Sequence, residues 1–305
     1  MKRIACLLLA SAAIFGDEPA PTAGDKPAPK EEKSYSLWDY HPIHIGGNFL
    51  QIGNASVSKS DGGGQLLYQK ANAFLYMLLP ISEKSYFFPR VEWNTLDFNW
   101  NHNEKFHQTR YYFAQFALTF YSTAVDKWRW ILRANYNLDL EHFNNPSEYG
   151  LFEGLVWGAY QIHRKWHYHI GTFGYTGMRG AQVYPVLGFD YSWNKNWTIL
   201  LVFPIEYSLS YKLGENWNFS LRGRPLKERF RSGENEPQPR SIFSYSSIGL
   251  ELNARYEIFM RFEAELFGGC NFGGTFYIKN AHNRNASYYD VGAAPYGGAS
   301  LNYGF

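Results

Sequence analysis

After its first residues the chain has no long apolar run. No later stretch approaches the roughly 18 consecutive apolar residues a transmembrane helix requires, so the sequence excludes membrane-spanning helices. Cysteine is scarce, with only Cys6 and Cys270. If Cys6 leaves with an N-terminal signal, no intramolecular disulfide can form. Cys6 is also a poor lipidation site, because most of the hydrophobic run follows it. Charge of one sign is missing too. Lys and Arg number 29 against 27 Asp and Glu, a net charge of +2, which points to no nucleic-acid partner. There is no G-x-S-x-G elbow, no H-E-x-x-H, no phosphate loop and no calcium loop. The expectation is therefore a chain that is not an enzyme and that holds no cofactor and no metal.

What is abundant is aromatic. Phe, Tyr and Trp make up 19% of the chain, with 24 Tyr, 24 Phe and 10 Trp, yet the mean hydropathy is only −0.39. Aromatics diluted by polar residues suit a surface that meets a membrane interface, since Tyr and Trp carry one apolar and one polar end.

Residues 1–16 read as a signal peptide. Lys2 and Arg3 precede a mostly apolar stretch from Ile4 to Phe15, too short to span, with small residues at Ala10, Ala12, Ala13 and Gly16. Residues 17–36 are mainly Pro, Ala, Lys, Glu and Asp and read as a disordered periplasmic leader. Residues 37–305 are read as the barrel, and from about Pro42 onward they often alternate with period two. Trp128, Trp130, Leu132, Ala134 and Tyr136 oppose Arg129, Arg133, Asn135 and Asn137. Ile248, Leu250 and Leu252 oppose Glu251 and Asn253, and the stretch from Ile258 to Leu266 alternates most clearly. Strands with one apolar and one charged face predict an all-β fold, an antiparallel transmembrane β-barrel with lipid outside. A soluble sandwich would alternate as well, but with shorter and less aromatic strands.

Two kinds of turn are visible. Short ones precede an aromatic residue, as at Asp126-Lys127, Arg164-Lys165, Asn194–Asn196, Gly214–Asn216 and Ser82–Ser85. Longer polar ones are read at Ser58–Gly64, Asn101–His107, Glu141–Gly150, Gly177–Val183, Gly223–Arg240 and Asn271–Ser287. All short turns fall on one side only if the chain also reverses at Phe203-Pro204, where proline cannot donate to a ladder. The count is then about 14 strands, in a range of roughly 12–16 because bounds read from sequence shift by a few residues.

The chain ends in Phe305, preceded at alternate positions by Tyr303, Leu301, Ala299 and Gly297. This resembles the C-terminal assembly signal of outer-membrane barrels. The resemblance implies outer-membrane localisation, contact with outer-membrane lipids and insertion by the barrel-assembly machinery. Pro185, Val186, Leu187 and Gly188, followed by Trp197, Phe203-Pro204, Tyr211 and Trp217, are similar to an uncharacterised family of outer-membrane barrels in diderm bacteria. That family brings no activity to carry over.

Parity places Lys70, Arg90, Arg129, Arg133, Lys212, Arg222, Arg255 and Arg261 in the lumen. Opposite them in sign stand Glu92, Asp139, Glu141, Glu153, Glu206, Glu251, Glu263 and Glu265. The near balance fits either an ion-pair network that fills the lumen or a weakly selective channel. His163, His167 and His169 flank a short turn and could ligate a transition metal, though polar lumen residues are the simpler reading. The basic and acidic segment Gly223–Arg240 either touches lipopolysaccharide phosphates or folds inward and narrows the pore. The function expected is a passive porin-like channel for small polar solutes. A non-conducting surface or envelope protein is the alternative, and a lipid-modifying enzyme the third reading. The oligomeric state cannot be read.

Overall fold

The computed structural model describes residues 42–58, 64–101, 107–258 and 261–305. The segments read as signal peptide and leader lie outside the described residues. The strands are β1 (Ile43–Ser58), β2 (Gly64–Met77), β3 (Leu79–Ser82), β4 (Ser85–Trp100), β5 (Arg110–Ser122), β6 (Trp128–Asp139), β7 (Gly150–His163), β8 (Trp166–Gly177), β9 (Gly180–Ser192), β10 (Trp197–Phe203), β11 (Glu206–Leu213), β12 (Trp217–Arg231), β13 (Ile242–Ile258), β14 (Phe262–Lys279), β15 (Ser287–Val291) and β16 (Ala294–Gly304). A single helical turn, α1 (Pro146–Tyr149), precedes β7.

These strands build a closed antiparallel barrel of 14 staves. Two staves are interrupted. β2 and β3 both pair with β4 and are separated at Leu78, while β15 and β16 both lie between β14 and β1. Closure is made by β16 on β1, from His44↔Gly304 to Ile52↔Tyr296. With an even number of staves, the short turns and the C-terminus share one rim, here called inner. The reversal at Phe203-Pro204 joins β10 to β11 at the outer rim, as the parity of the turns requires.

The alternating residues divide between the faces as physics demands. Ile45, Phe49, Val91, Leu132, Leu252 and Leu301 are exposed on the outside, whereas Arg133, Glu251 and Arg255 are buried within. Turning an Arg outward near a bilayer midplane would cost about 2–4 kcal/mol. At the inner rim Trp128, Trp166, Trp197 and Trp217 each open a strand and pack on a neighbouring ring. Trp197 lies 4.8 Å from Tyr211 and Trp217 4.9 Å from Tyr256. Such a belt suits a headgroup region.

Three sequence expectations need correction. The stretch from Ile258 to Leu266 is not one strand: β13 ends at Ile258 and β14 begins at Phe262, and these two residues face each other across a turn. A turn of that length leaves odd and even positions on the same faces, so period two runs through it unseen. The outer turn within Gly177–Val183 is only Met178-Arg179, between β8 and β9. The first half of Gly223–Arg240 and of Asn271–Ser287 is strand, since β12 runs to Arg231 and β14 to Lys279.

Candidate functional site: a lumen closed at its outer rim

The inner half of the lumen is polar. On β12, β13 and β14 the inward carboxylates Glu251, Glu263 and Glu265 each lie near a guanidinium of the same strands or their neighbours. Arg222 lies 3.3 Å from Glu265 and 3.7 Å from Glu251. Arg255 lies 3.5 Å from Glu263 and 3.7 Å from Glu265. Arg224 grips Glu251 with two N–H groups, the Tyr296 hydroxyl donates to Glu251 at 3.0 Å, and Asn253 donates to Glu265 at 2.5 Å. On the opposite wall Arg90 pairs with Glu92 at 2.9 Å, Asn72 donates to Glu92, and Arg133 donates to Asn135, which donates in turn to Glu153. Glu206 is buried on β11, where Ser208 donates to it.

The remaining sites of the parity reading fall at the edges. Arg129 lies at the inner rim, 3.7 Å from Asp190, and Lys212 is exposed there. Arg261 does not join the lumen. It is exposed in the β13–β14 turn, its Nε donating to the Tyr303 hydroxyl at 3.3 Å on the outward side. The unseen turn is the reason, because parity was counted through it. Asp139 and Glu141 lie at the outer end of β6. His167 and His169 do not converge on a common point: Asp190 takes one ring on each of its oxygens, at 2.7 and 2.9 Å. Trp157 donates to His169 Nδ1, so His169 donates through Nε2 to Asp190. His163 lies apart, near the Lys165 amide.

Glu265 accepts from Arg222 and Asn253 and forms an ion pair with Arg255. Removing one partner of a buried charge group leaves the others uncompensated, at about 3–5 kcal/mol. Glu265→Ala should therefore lower the urea midpoint of the refolded barrel markedly, while Glu215→Ala in an exposed turn should leave it in place.

The outer half is closed differently. Beyond Gly223, β12 has no ladder partner on its β11 side, because β10 and β11 are only 7 and 8 residues long against 13 and 15 for β9 and β12. Freed from that neighbour, the outer part of β12 leans into the mouth and carries β13 with it. Both faces of β12 are then covered. On one face Phe230 lies 5.0 Å from Phe98 of β4 and 4.5 Å from Tyr111 of β5, and Glu228 takes Lys70 of β2 at 2.5 Å. On the other face Lys227 donates to the Tyr184 hydroxyl, Arg229 donates to the Met178 carbonyl at 3.0 Å, and Arg231 lies 5.7 Å over Tyr149. From β13, Tyr245 lies 5.6 Å from Tyr68, and Ile242 packs among Leu151, Met178 and Val202. These are contacts between opposite walls of the barrel.

Glycines and register shifts fall on one line across adjacent strands. It passes through Gly223 on β12, the register shift between Ser247 and Gly249 on β13, and Gly273 on β14. It continues at Gly292, between β15 and β16, and at the shift between Ile52 and Ala55 on β1. Gly273 has φ +96°, and a Cβ there would lie 2.6 Å from the Val291 carbonyl oxygen, so a side chain would be both strained and blocked. Bulges of this kind increase local twist and redirect a strand. Between these contacts lies a cavity of about 50 Å³ lined in part by Lys70, Glu153, Lys227 and Glu228, small enough that it suits water. In the surrounding outer loops, burial and the neighbouring Asp139 charge push the Glu141 carboxyl above its ordinary value, and burial pushes the Tyr149 phenol up.

The inward hairpin was legible only as an alternative for Gly223–Arg240. The signal was there: Leu226, Glu228 and Phe230 alternate with Lys227, Arg229 and Arg231. Neither set reads as lipid-facing, because neither faces lipid.

Residues 92–304 match the model of the family described as Domain of unknown function (DUF6268). The chain belongs to that family. It is similar to an uncharacterized protein of Chlamydia trachomatis serovar D, 23% identical over 291 residues that cover 90% of this chain and 91% of that one. An uncharacterized protein of Chlamydia pneumoniae is 24% identical over 202 residues, 66% of this chain and 63% of that one. Among solved structures it resembles an outer membrane channel from Pseudomonas putida F1, with TM-score 0.48 and 8% identity over 87% of this chain and 96% of that one. It also resembles the KdgM porin in complex with disordered oligogalacturonate, with TM-score 0.38 and 7% identity over 86% and 99%.

Proposed function

We propose that this DUF6268 member is an outer-membrane channel for small polar solutes, held closed by the inward part of β12 and β13. The observation that carries the reading is the pair of covered faces on outer β12. Barrels of about 8 strands are filled by their own side chains, whereas wider ones leave a channel. Here the mouth is occupied by an element bent about a line of glycines and bulges, which can move as a unit. The polar inner lumen supports water and small polar solutes as the cargo, and its balanced charge supports weak ion selectivity. The apolar outer belt supports contact with outer-membrane lipids, with insertion by the barrel-assembly machinery and no catalytic role.

The test is solute entry into proteoliposomes. The refolded parent should swell slowly with small sugars, and Glu228→Gln, which breaks the ion pair to Lys70 across the lumen, should swell them faster. Absence of swelling from both, together with no conductance, favours a surface or envelope protein instead. Orientation gives a second check. Peptide tags inserted in the loop at 232–241 or 280–286 should be labelled on intact cells, and tags at Asp126-Lys127 or Gly214-Glu215 should not. Labelling at the inner turns would reverse the topology.

A further inference from the structure

We propose that Asp139, Glu141 and His142, at the outer end of β6, form a binding site for one divalent transition-metal ion of the zinc class. Each of the three offers a ligand atom, and these atoms lie within 4.8 Å of one another. The geometry is more particular than proximity. Asp139 is only 1% exposed, and its Oδ1 already accepts from the Glu141 amide. Its Oδ2 is shielded from solvent and has no hydrogen-bond partner, and the same holds for His142 Nδ1. The two atoms lie 3.4 Å apart, within ion-pair distance when the imidazole is protonated but without hydrogen-bond geometry. Ligands held about 2.0–2.1 Å from a tetrahedral ion stand about 3.3–3.4 Å apart, so the spacing is that of two corners of such a site.

The surroundings favour a cation. Asp139 and Glu141 lie side by side, and among the described residues neither has a Lys or Arg ion-pair partner. Burying anionic oxygens beside an imidazole that is charged only when protonated is costly, and a bound cation supplies a lasting counter-charge. Imidazole with carboxylates suits zinc-class ions, whereas magnesium and calcium prefer sites made of oxygen alone. The outer shell is also in place. The His142 ring stacks on Tyr149 with centroids 4.1 Å apart, and Gln108 donates to Glu141. Ligating carboxylates and imidazoles are commonly oriented by such partners. Gln108 also accepts from the Gly233 amide in the β12–β13 loop, so the site adjoins the turn of the inward hairpin. Three protein ligands leave a fourth position for water.

The proposal is independent of solute passage, and its test does not use transport. Untagged, refolded barrel freed of metal by chelator is titrated calorimetrically with Zn²⁺, and separately with Co²⁺ while the visible spectrum is recorded. The expected result is one Zn²⁺ per barrel, an intense tetrahedral Co²⁺ spectrum and no binding of Mg²⁺. His142→Ala and the more exposed Glu141→Gln should each weaken Zn²⁺ binding roughly tenfold or more, the loss that follows removal of a single ligand or its support. His167→Gln, at the far end of the lumen, should bind as the parent does. Heat-modifiable migration of each variant shows whether it has folded. Failure of the parent to bind Zn²⁺ overturns the site. So does binding that survives His142→Ala and Glu141→Gln but falls in His167→Gln.

Discussion

Planar-bilayer recordings of the Phe98→Ala/Phe230→Ala variant should show open-state occupancy raised roughly tenfold or more over the parent, with the barrel still folded. The two rings belong to opposite walls and meet 5.0 Å apart at the mouth. Phe98 also lies 5.6 Å from Phe276 and 6.0 Å from Tyr245, and Phe230 lies 4.5 Å from Tyr111 and 5.3 Å from Phe243. Both are buried in one apolar cluster. Truncating a buried Phe typically costs about 3–5 kcal/mol, part of it from the cavity left behind. In most proteins that cost falls on the whole fold. If the hairpin closes the channel as proposed, here it falls mainly on the closed position. The staves keep their ladder hydrogen bonds, and only the contact between opposite walls is lost. A shift of 1.4 kcal/mol already changes a two-state ratio about tenfold. Leu252→Ala, on the outward face of β13, removes comparable apolar area without touching the closure and is the control. If the double variant folds and conducts no more than the parent, the hairpin is not the barrier.

The barrel itself was legible because its rule is local. An apolar outside and a charged inside write themselves into alternate positions, as in Leu132, Arg133 and Ala134, and short turns announce themselves by the aromatic residue that follows. The closure of β16 on β1 was legible from the last residues for the same reason. Three things were not. Parity cannot report a turn that preserves it, which joined Ile258 to Leu266 and carried Arg261 into the lumen. Nor can a local pattern show that a strand leaves the wall. Leu226, Glu228 and Phe230 alternate correctly with Lys227, Arg229 and Arg231, but what they meet is decided by strands β2, β4, β8 and β9. The cause lies in the shortness of β10 and β11, which deprives β12 of a neighbour. The pairing of Asp139 with His142 was similarly out of reach. Asp139 reads as one more inward charge at the end of a strand, and only the reversal into the following loop brings the imidazole back beside it.

The C-terminal strand should prove necessary for assembly in cells and dispensable for closure in detergent. Tyr303→Ser/Phe305→Ser is expected to reduce the heat-modifiable, membrane-embedded form roughly tenfold or more in cells. The same purified chain should still refold in detergent micelles. The argument turns on what the two rings touch. β16 makes nine register pairs with β1 and ten with β14, and the backbone ladder does not depend on the side chains at 303 and 305. The Phe305 amide donates to the Ile43 carbonyl at 2.8 Å, a bond that Ser can also make. What the substitutions remove is outward apolar surface, Phe305 being 55% exposed, the ring contact of 5.0 Å between Tyr303 and Phe305, and the exposed Arg261 hydrogen bond to the Tyr303 hydroxyl. Losing two such rings from a lipid-facing surface costs about 1.5–3 kcal/mol each, a penalty that nineteen register pairs can absorb once the barrel has formed. Before closure there is no β1 partner, and the strand is an open edge with one apolar face, the form in which another sheet edge can bind it. At that stage the rings are most of what distinguishes it. Leu252→Ser, equally outward but mid-wall, should reach the membrane nearly as well as the parent. If both double-ring and mid-wall variants fail alike, loss of membrane-facing area is the cause and the terminal residues carry no signal of their own. If the double-ring variant also fails to refold in detergent, the rings are structural. The pattern expected is failure in cells for the terminal pair alone, with normal closure of that same chain in vitro.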